Sequence, residues 1–263
     1  HPRGDSPTWR ADHQELLART LNSVIGAGQR YLGLRVRFAG PVDLNSPHIA
    51  DLVLARHAGP ADSLILAWLL THEAVRLPRV VLTEGLRWDP GVDIVLSRLD
   101  SYFVPSVTGA GDDRVDRVRE LARSLQGDES MLLFPEGQNW TPARREQLIE
   151  RLIARGDDDL AALAELWEWV LPPRPGGVMA ALSARPDADV VVVGHTGLEL
   201  LTTPLAIWRA IPLADHGHEF VVRTHTYVSG DVPHQAEPMA RWLIDRWGET
   251  NDWIAGLRSG DAS

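Results

Sequence analysis

The four consecutive valines Val190–Val193, entered through Asp189 and closed by Gly194-His195, are the clearest short apolar run in the chain. A run of that length bounded by turn residues predicts a strand buried on both faces. Ile49–Ala55, Arg79–Thr83 and Met131–Phe134 repeat the pattern, and Tyr102–Val107 is a further short apolar stretch. Tyr31–Phe38 alternates apolar and polar positions, which predicts a strand turned by Gly40-Pro41; Phe220–Val228 predicts another. Between these runs the apolar spacing changes to helical intervals. Residues 13–27 carry Leu16, Leu17, Leu21 and Val24/Ile25 on one side, after a loose polar lead-in over residues 1–12. Helices are also predicted over 62–76, 112–125, 141–155, 157–169, 178–184 and 238–257, with Pro60, Asp62 and Thr141-Pro142 as start signals and Pro172–Gly177 as a rigid turn. Short buried strands alternating with helices predict an α/β fold, with a mixed, largely parallel central sheet flanked by helices. The expected organisation is a lead-in and amphipathic helix over 1–29 and a single α/β domain over 30–263.

Composition narrows the function. A net charge of −10 argues against a nucleic-acid partner, which favours a basic surface. There is no cysteine, so thiolate catalysis and cysteine metal sites are excluded. All 26 basic side chains are arginine, so any phosphate clamp must use the guanidinium fork. No run of roughly 18 apolar residues marks a membrane-spanning helix. His216, His218, His225 and His234 match no metal-ligand spacing, and no metal is expected. Gly-x-Ser-x-Gly, Gly-x-Gly-x-x-Gly and phosphate-loop patterns are absent. The arginines of 113–123 are interleaved with acids and read as a solvated face.

In α/β sheets chemistry collects where strands end. His57, Glu136 and His195 each follow an apolar strand. His57-Ala-Gly-Pro-Ala-Asp62 puts an aspartate five residues past a histidine, across a Gly-Pro bend. Such a bend can carry the carboxylate back to the imidazole, fixing its tautomer and leaving the other nitrogen as a base. The plainer reading is a helix-capping aspartate beside an unrelated histidine. Phe134-Pro135-Glu136-Gly137 reads by itself as a strand, a turn and a helix cap. His195 reads equally as a cleft residue or a core histidine.

Taken together, His57/Asp62 and Phe134–Gly137, in this order, resemble the first and third blocks of the glycerolipid acyltransferase family, which includes the lysophosphatidic acid acyltransferases. Val190–Gly194 is similar to the last block without its proline, and Leu171–Gly177 is similar to a Pro-Arg-x-x-Gly segment; the likeness covers about residues 30–230. Two departures stand out. Tyr102–Ser106 ends in serine where the second block has arginine, and Gln138-Asn139 replaces a Thr-Arg pair. Arg87, Arg98, Arg144, Arg145 and Arg174 are the nearest substitutes. The resemblance implies an acyltransferase-like α/β fold. It further implies transfer of a fatty acyl group from acyl-CoA or acyl carrier protein to a lysophospholipid hydroxyl, lysophosphatidic acid by default. His57 and Asp62 would form the general-base dyad. Phe134, Pro135, Glu136 and Gly137 would bind acceptor, with Arg98, Arg144 and Arg174 near its phosphate and backbone amides around Gly59 or Gly137 at the oxyanion. No cofactor beyond the thioester is implied. The expected location is the cytoplasmic face of a membrane, peripheral or anchored by a segment outside this sequence; Trp167, Trp169 and Trp208 are candidate interfacial or groove residues, with core packing the plainer reading of each. Hydrolysis at the same base, and lipid binding without catalysis, remain as alternatives.

Overall fold

The computed structural model describes residues 7–42, 44, 51–59, 61–83, 102–104, 111–201 and 203–260. Among them the chain forms α1 (Pro7–Ala27), β1 (Val36–Phe38), β2 (Asp51–Ala55), α2 (Asp62–His72), β3 (Leu77–Thr83) and β4 (Tyr102–Val104). It continues through α3 (Gly111–Ser124), β5 (Glu129–Leu133), α4 (Pro142–Arg155), α5 (Asp158–Leu166) and α6 (Pro175–Ala184). It closes with β6 (Asp189–Thr196), α7 (Pro204–Arg209), β7 (Phe220–Tyr227) and α8 (Ala236–Ser259). The strands form one sheet in the order β1-β7-β6-β2-β5-β3-β4. From β6 to β4 every neighbour is parallel; β7 runs antiparallel to β6, and β1 pairs parallel with β7. The sheet is therefore mixed and largely parallel.

Continuous apolar strands arise because helices cover both faces. In β2, Val53 and Ala55 pack toward α1 and α2, while Leu52 and Leu54 pack toward α3, α6 and α8. The valines of β6 divide likewise, Val191 and Val193 to the first core and Val190 and Val192 to the second. Truncating a fully buried member such as Leu52 to alanine costs about 2–5 kcal/mol in comparable cores. Buried ion pairs close the N-terminal end of the sheet: Arg76 Nε lies 3.0 Å from Asp51 and Arg79 Nε 3.2 Å from Glu129.

Several boundaries differ from the sequence reading. Helix α1 starts at Pro7, inside the expected lead-in, with proline in the first turn where its missing N–H costs nothing. Tyr31–Phe38 is not one strand. Gly28–Leu32 extends α1 as a π-helical turn, Gly33 reverses the chain at φ +68°, and only Val36–Phe38 pairs. Helix α2 stops at His72 and β3 begins at Leu77, before the expected Arg79. At the end of β6, Gly197 lets the chain pass β7, since a Cβ there would lie 1.7 Å from the Glu219 carbonyl oxygen.

Candidate active site

Strand β2 runs out into Arg56 and His57, and the bend that follows is organised by Asp62, the first residue of α2. The Ala58 and Gly59 amides both donate to Asp62 Oδ2 at 2.5 Å. A carboxylate at a helix N-terminus also suits the helix dipole. The same oxygen lies 3.8 Å from His57 Nδ1 and 3.7 Å from His195 Nε2, within ion-pair reach but beyond a hydrogen bond. Asp62 thus ties its own turn and faces His57 at once. Burial works against its ionisation, but the neighbouring His195 and His57 and the Ala58 amide hold the carboxyl below the usual carboxylate range. The His57 side chain keeps 18% of its exposure, while that of Asp62 is buried. Its ring stacks on Phe134 at 4.3 Å between centroids, and its carbonyl accepts the Trp140 amide at 2.6 Å. With Nδ1 toward Asp62, Nε2 is the nitrogen left for proton transfer.

Beneath this pair lies a charged network. Arg56 is fully buried; its Nη1 donates to the His195 carbonyl at 2.7 Å and lies 3.8 Å from Glu199, and the guanidinium carbon sits 5.3 Å from the Trp140 ring centre. Glu199 accepts from Thr196 Oγ1 and the Gly197 amide and pairs with Arg258. Burial raises its carboxyl, yet Arg56, Thr196 and Arg258 together hold it below the usual range. His195 belongs to the core: its Nε2 is 2.8 Å from the Arg56 carbonyl oxygen, its ring stacks on Phe220, and burial keeps its pKa below the ordinary value.

Glu136, expected to meet acceptor directly, is only 1% exposed. Its Oε1 accepts from Trp247 Nε1 at 3.0 Å, and Oε2 is buried without a partner. Burial pushes its carboxyl up to about 8, with Arg56 and Trp247 offsetting only part of that effect. The carboxyl therefore stands under the site, coupled to Arg56, with no open path to a ligand in this conformation. Gly137 continues the turn at φ +69°, which favours glycine, and its amide donates to the Phe134 carbonyl at 3.0 Å. The Gly59 amide is likewise engaged by Asp62, so neither amide expected at the oxyanion is available for it. Gln138 Nε2 and Trp140 Nε1, in the same segment, are buried donors without partners.

The expected arginines separate. Arg174 donates its amide to the Pro135 carbonyl at 2.8 Å, and its guanidinium lies against Gly137. Arg144 is exposed and donates to the Asn139 carbonyl at 3.3 Å. Arg145 is occupied by the carbonyls of Trp167 and Glu165. Arg87, Arg98 and Ser106 lie outside the described residues. Arg56, Glu199, Trp247 and Arg258 were not singled out by the sequence; Arg56 adjoins His57, but its partners, like the other three, join the site through contacts distant along the chain. Beside the bend, an apolar cavity of about 170 Å³ is lined by Val24, Leu34, Ile65, Leu198, Leu201 and Ile207 and reaches Gly59 and Asp62. Trp167 is buried in the second core, Trp169 packs on Trp140, and Trp208 is 75% exposed.

The fold and motif geometry meet independent comparisons here. A family model described as Acyltransferase matches residues 36–196, which hold His57, Asp62 and the 134–137 turn. An uncharacterized acyltransferase of Schizosaccharomyces pombe is 18% identical over 219 residues, 79% of this chain and 59% of that protein, so the chain spans less than two thirds of that relative. The crystal structure of the 1-acyl-sn-glycerophosphate (LPA) acyltransferase PlsC from Thermotoga maritima is similar with a TM-score of 0.56 and 13% identity, covering 93% of this chain and 79% of that one. That last likeness is one of fold. With the family model spanning more than half of its length, the chain belongs to the acyltransferase family.

Proposed function

We propose that the protein transfers a fatty acyl group from a thioester to the hydroxyl of a lysophospholipid-type acceptor, with His57 as general base and Asp62 orienting it. One observation carries the reading: a partly exposed imidazole is backed by a buried carboxylate whose turn also lines an apolar cavity. The cavity suits an acyl chain. The acceptor hydroxyl gives its proton to His57 Nε2 as its oxygen attacks the thioester carbon. The tetrahedral oxyanion then collapses with cleavage of the C–S bond, and the proton leaves on the thiol. No covalent enzyme intermediate is needed, because the thioester is already activated.

General-base catalysis contributes about 10²–10⁴-fold, so His57→Ala should lower turnover of a radiolabelled acyl thioester and lysophospholipid by that order. Near-normal turnover in His57→Ala would overturn the reading. Free acid released without acceptor, as fast as transfer, would make the protein a hydrolase instead.

We also infer peripheral docking on a membrane surface, since the acceptor and product are lipids. The elements that line the apolar cavity carry exposed apolar side chains: Val24, Tyr31, Leu200, Leu205 and Trp208. Exposed Trp and Tyr are suited to the bilayer–water boundary.

A further inference from the structure

A second cavity, of about 500 Å³, lies between α4, α5 and the 172–174 segment. Its basic groups are Arg151, Arg155 and Arg174, and its one acid is Asp157. Among the described residues Arg151 and Arg155 form no ion pair. Arg151 uses only its Nε, to the Gln147 carbonyl of its own helix, and Arg155 makes no side-chain hydrogen bond. In a chain of net charge −10, the two guanidiniums of Arg151 and Arg155 against the single carboxylate of Asp157 reverse the local sign. Guanidiniums hold phosphate oxygens in paired hydrogen bonds.

The cavity is joined to the catalytic bend on two sides. Leu148 of α4 packs against the small cluster of Ala58, Trp140 and Leu171, and Ala58 is the residue after His57. Arg151 and Arg155 follow Leu148 by three and seven positions, roughly 5 and 10 Å along the helix. From the other side, Arg174 reaches from the cavity to Gly137 in the Phe134–Gly137 turn. The positive wall thus starts at the motif and ends one to two helical turns beyond it. Lysophosphatidic acid carries its phosphate only a few bonds from the attacking hydroxyl, so that phosphate must lie close to His57. A coenzyme A thioester carries its phosphates at the far end of the pantetheine arm, and this displacement suits them.

We propose that Arg151 and Arg155 bind the phosphates of a coenzyme A thioester, the acyl donor, an assignment that rests on the acyl-transfer reading. Calorimetric titration of coenzyme A, 3′-dephospho-coenzyme A and pantetheine tests it without turnover. Wild type and His57→Ala should bind coenzyme A alike, and more tightly than either truncated ligand. The double variant Arg151→Gln/Arg155→Gln should lose about tenfold or more in that affinity. Wild type and the double variant should melt together, because both arginines are exposed. In turnover the double variant should raise the KM for acyl-coenzyme A and leave unchanged kcat, the acceptor KM and the KM for an acyl N-acetylcysteamine thioester. Unchanged coenzyme A affinity in the double variant overturns the assignment, as does a shift in the acceptor KM alone. Coenzyme A binding that depends on the arginines, in a protein with no transfer activity, leaves this site standing and removes the acyl-transfer reading.

Discussion

A glutamate buried beneath the site carries a carboxyl well above the ordinary carboxylate range. Glu136 titrates near 8 in the folded protein because burial disfavours its charge, against an ordinary value of 4.5. Its contribution to stability is complete below about pH 4.5 and is lost as pH rises through about 8. Asp51, raised by burial to about 7 despite Arg76, acts in the same sense below it. Asp62 and Glu199, held low, act oppositely: their contribution is present above the ordinary carboxylate range and is lost as pH falls through their depressed values. Stability should therefore be greatest in mild acid. In Glu136→Gln the drop in Tm between pH 5 and pH 8 should shrink relative to wild type; an equal drop in both assigns the titration elsewhere. The motif residues were legible because they are local: His57, Asp62 and Phe134–Gly137 can be read as short strings. Their supports were not. Trp247 reaches Glu136 across 111 positions, and Arg56 reaches the His195 carbonyl across 139, so no window of sequence holds both partners.

Among the elements, the buried strands were the most legible, since two covered faces demand the unbroken apolar runs seen in β2, β5 and β6. The misread segment, Tyr31–Phe38, shows what alternation omits. Glycine at φ +68° splits it, and the residues before that point satisfy their backbone groups by prolonging a helix. The turn from α2 to β3 was also unreadable, because it runs through a residue ill suited to it. Val75 sits at φ +52° with its side chain 77% exposed, while the next amide bonds back to the Leu70 carbonyl. A β-branched residue in that region is strained by about 1–3 kcal/mol. Val75→Gly removes the clash and loses no buried surface, though it frees the unfolded chain. A net gain of about 1 kcal/mol is expected, seen as a rise in Tm of roughly 2–4 °C; a lower Tm would refute the strain.

For the molecule as a whole, α7 presents an exposed apolar pair that composition did not reveal. On α7, Leu205 and Trp208 are three positions apart and point outward together, while Ala206 and Ile207 pack on the first core. No helix among the described residues is long and apolar enough to cross a membrane. Leu205→Ala/Trp208→Ala should reduce flotation with phosphatidylcholine–phosphatidylglycerol vesicles several-fold and leave transfer to detergent-dispersed acceptor intact. Equal flotation of variant and wild type would discard this face. The sheet order has a further bearing, on how the chain is made. Val36 pairs with Phe220, so β1 leaves the ribosome about 180 residues before its partner. At ordinary elongation rates that is roughly ten to forty seconds. Throughout that interval α1 can form its turns but has no finished surface to rest on, because Phe220 and Val222 of its core arrive with β7. The lining of the apolar cavity runs from Val24 to Leu213, so a nascent chain has the His57–Asp62 bend and the 134–137 turn in hand before the last wall of that cavity is made.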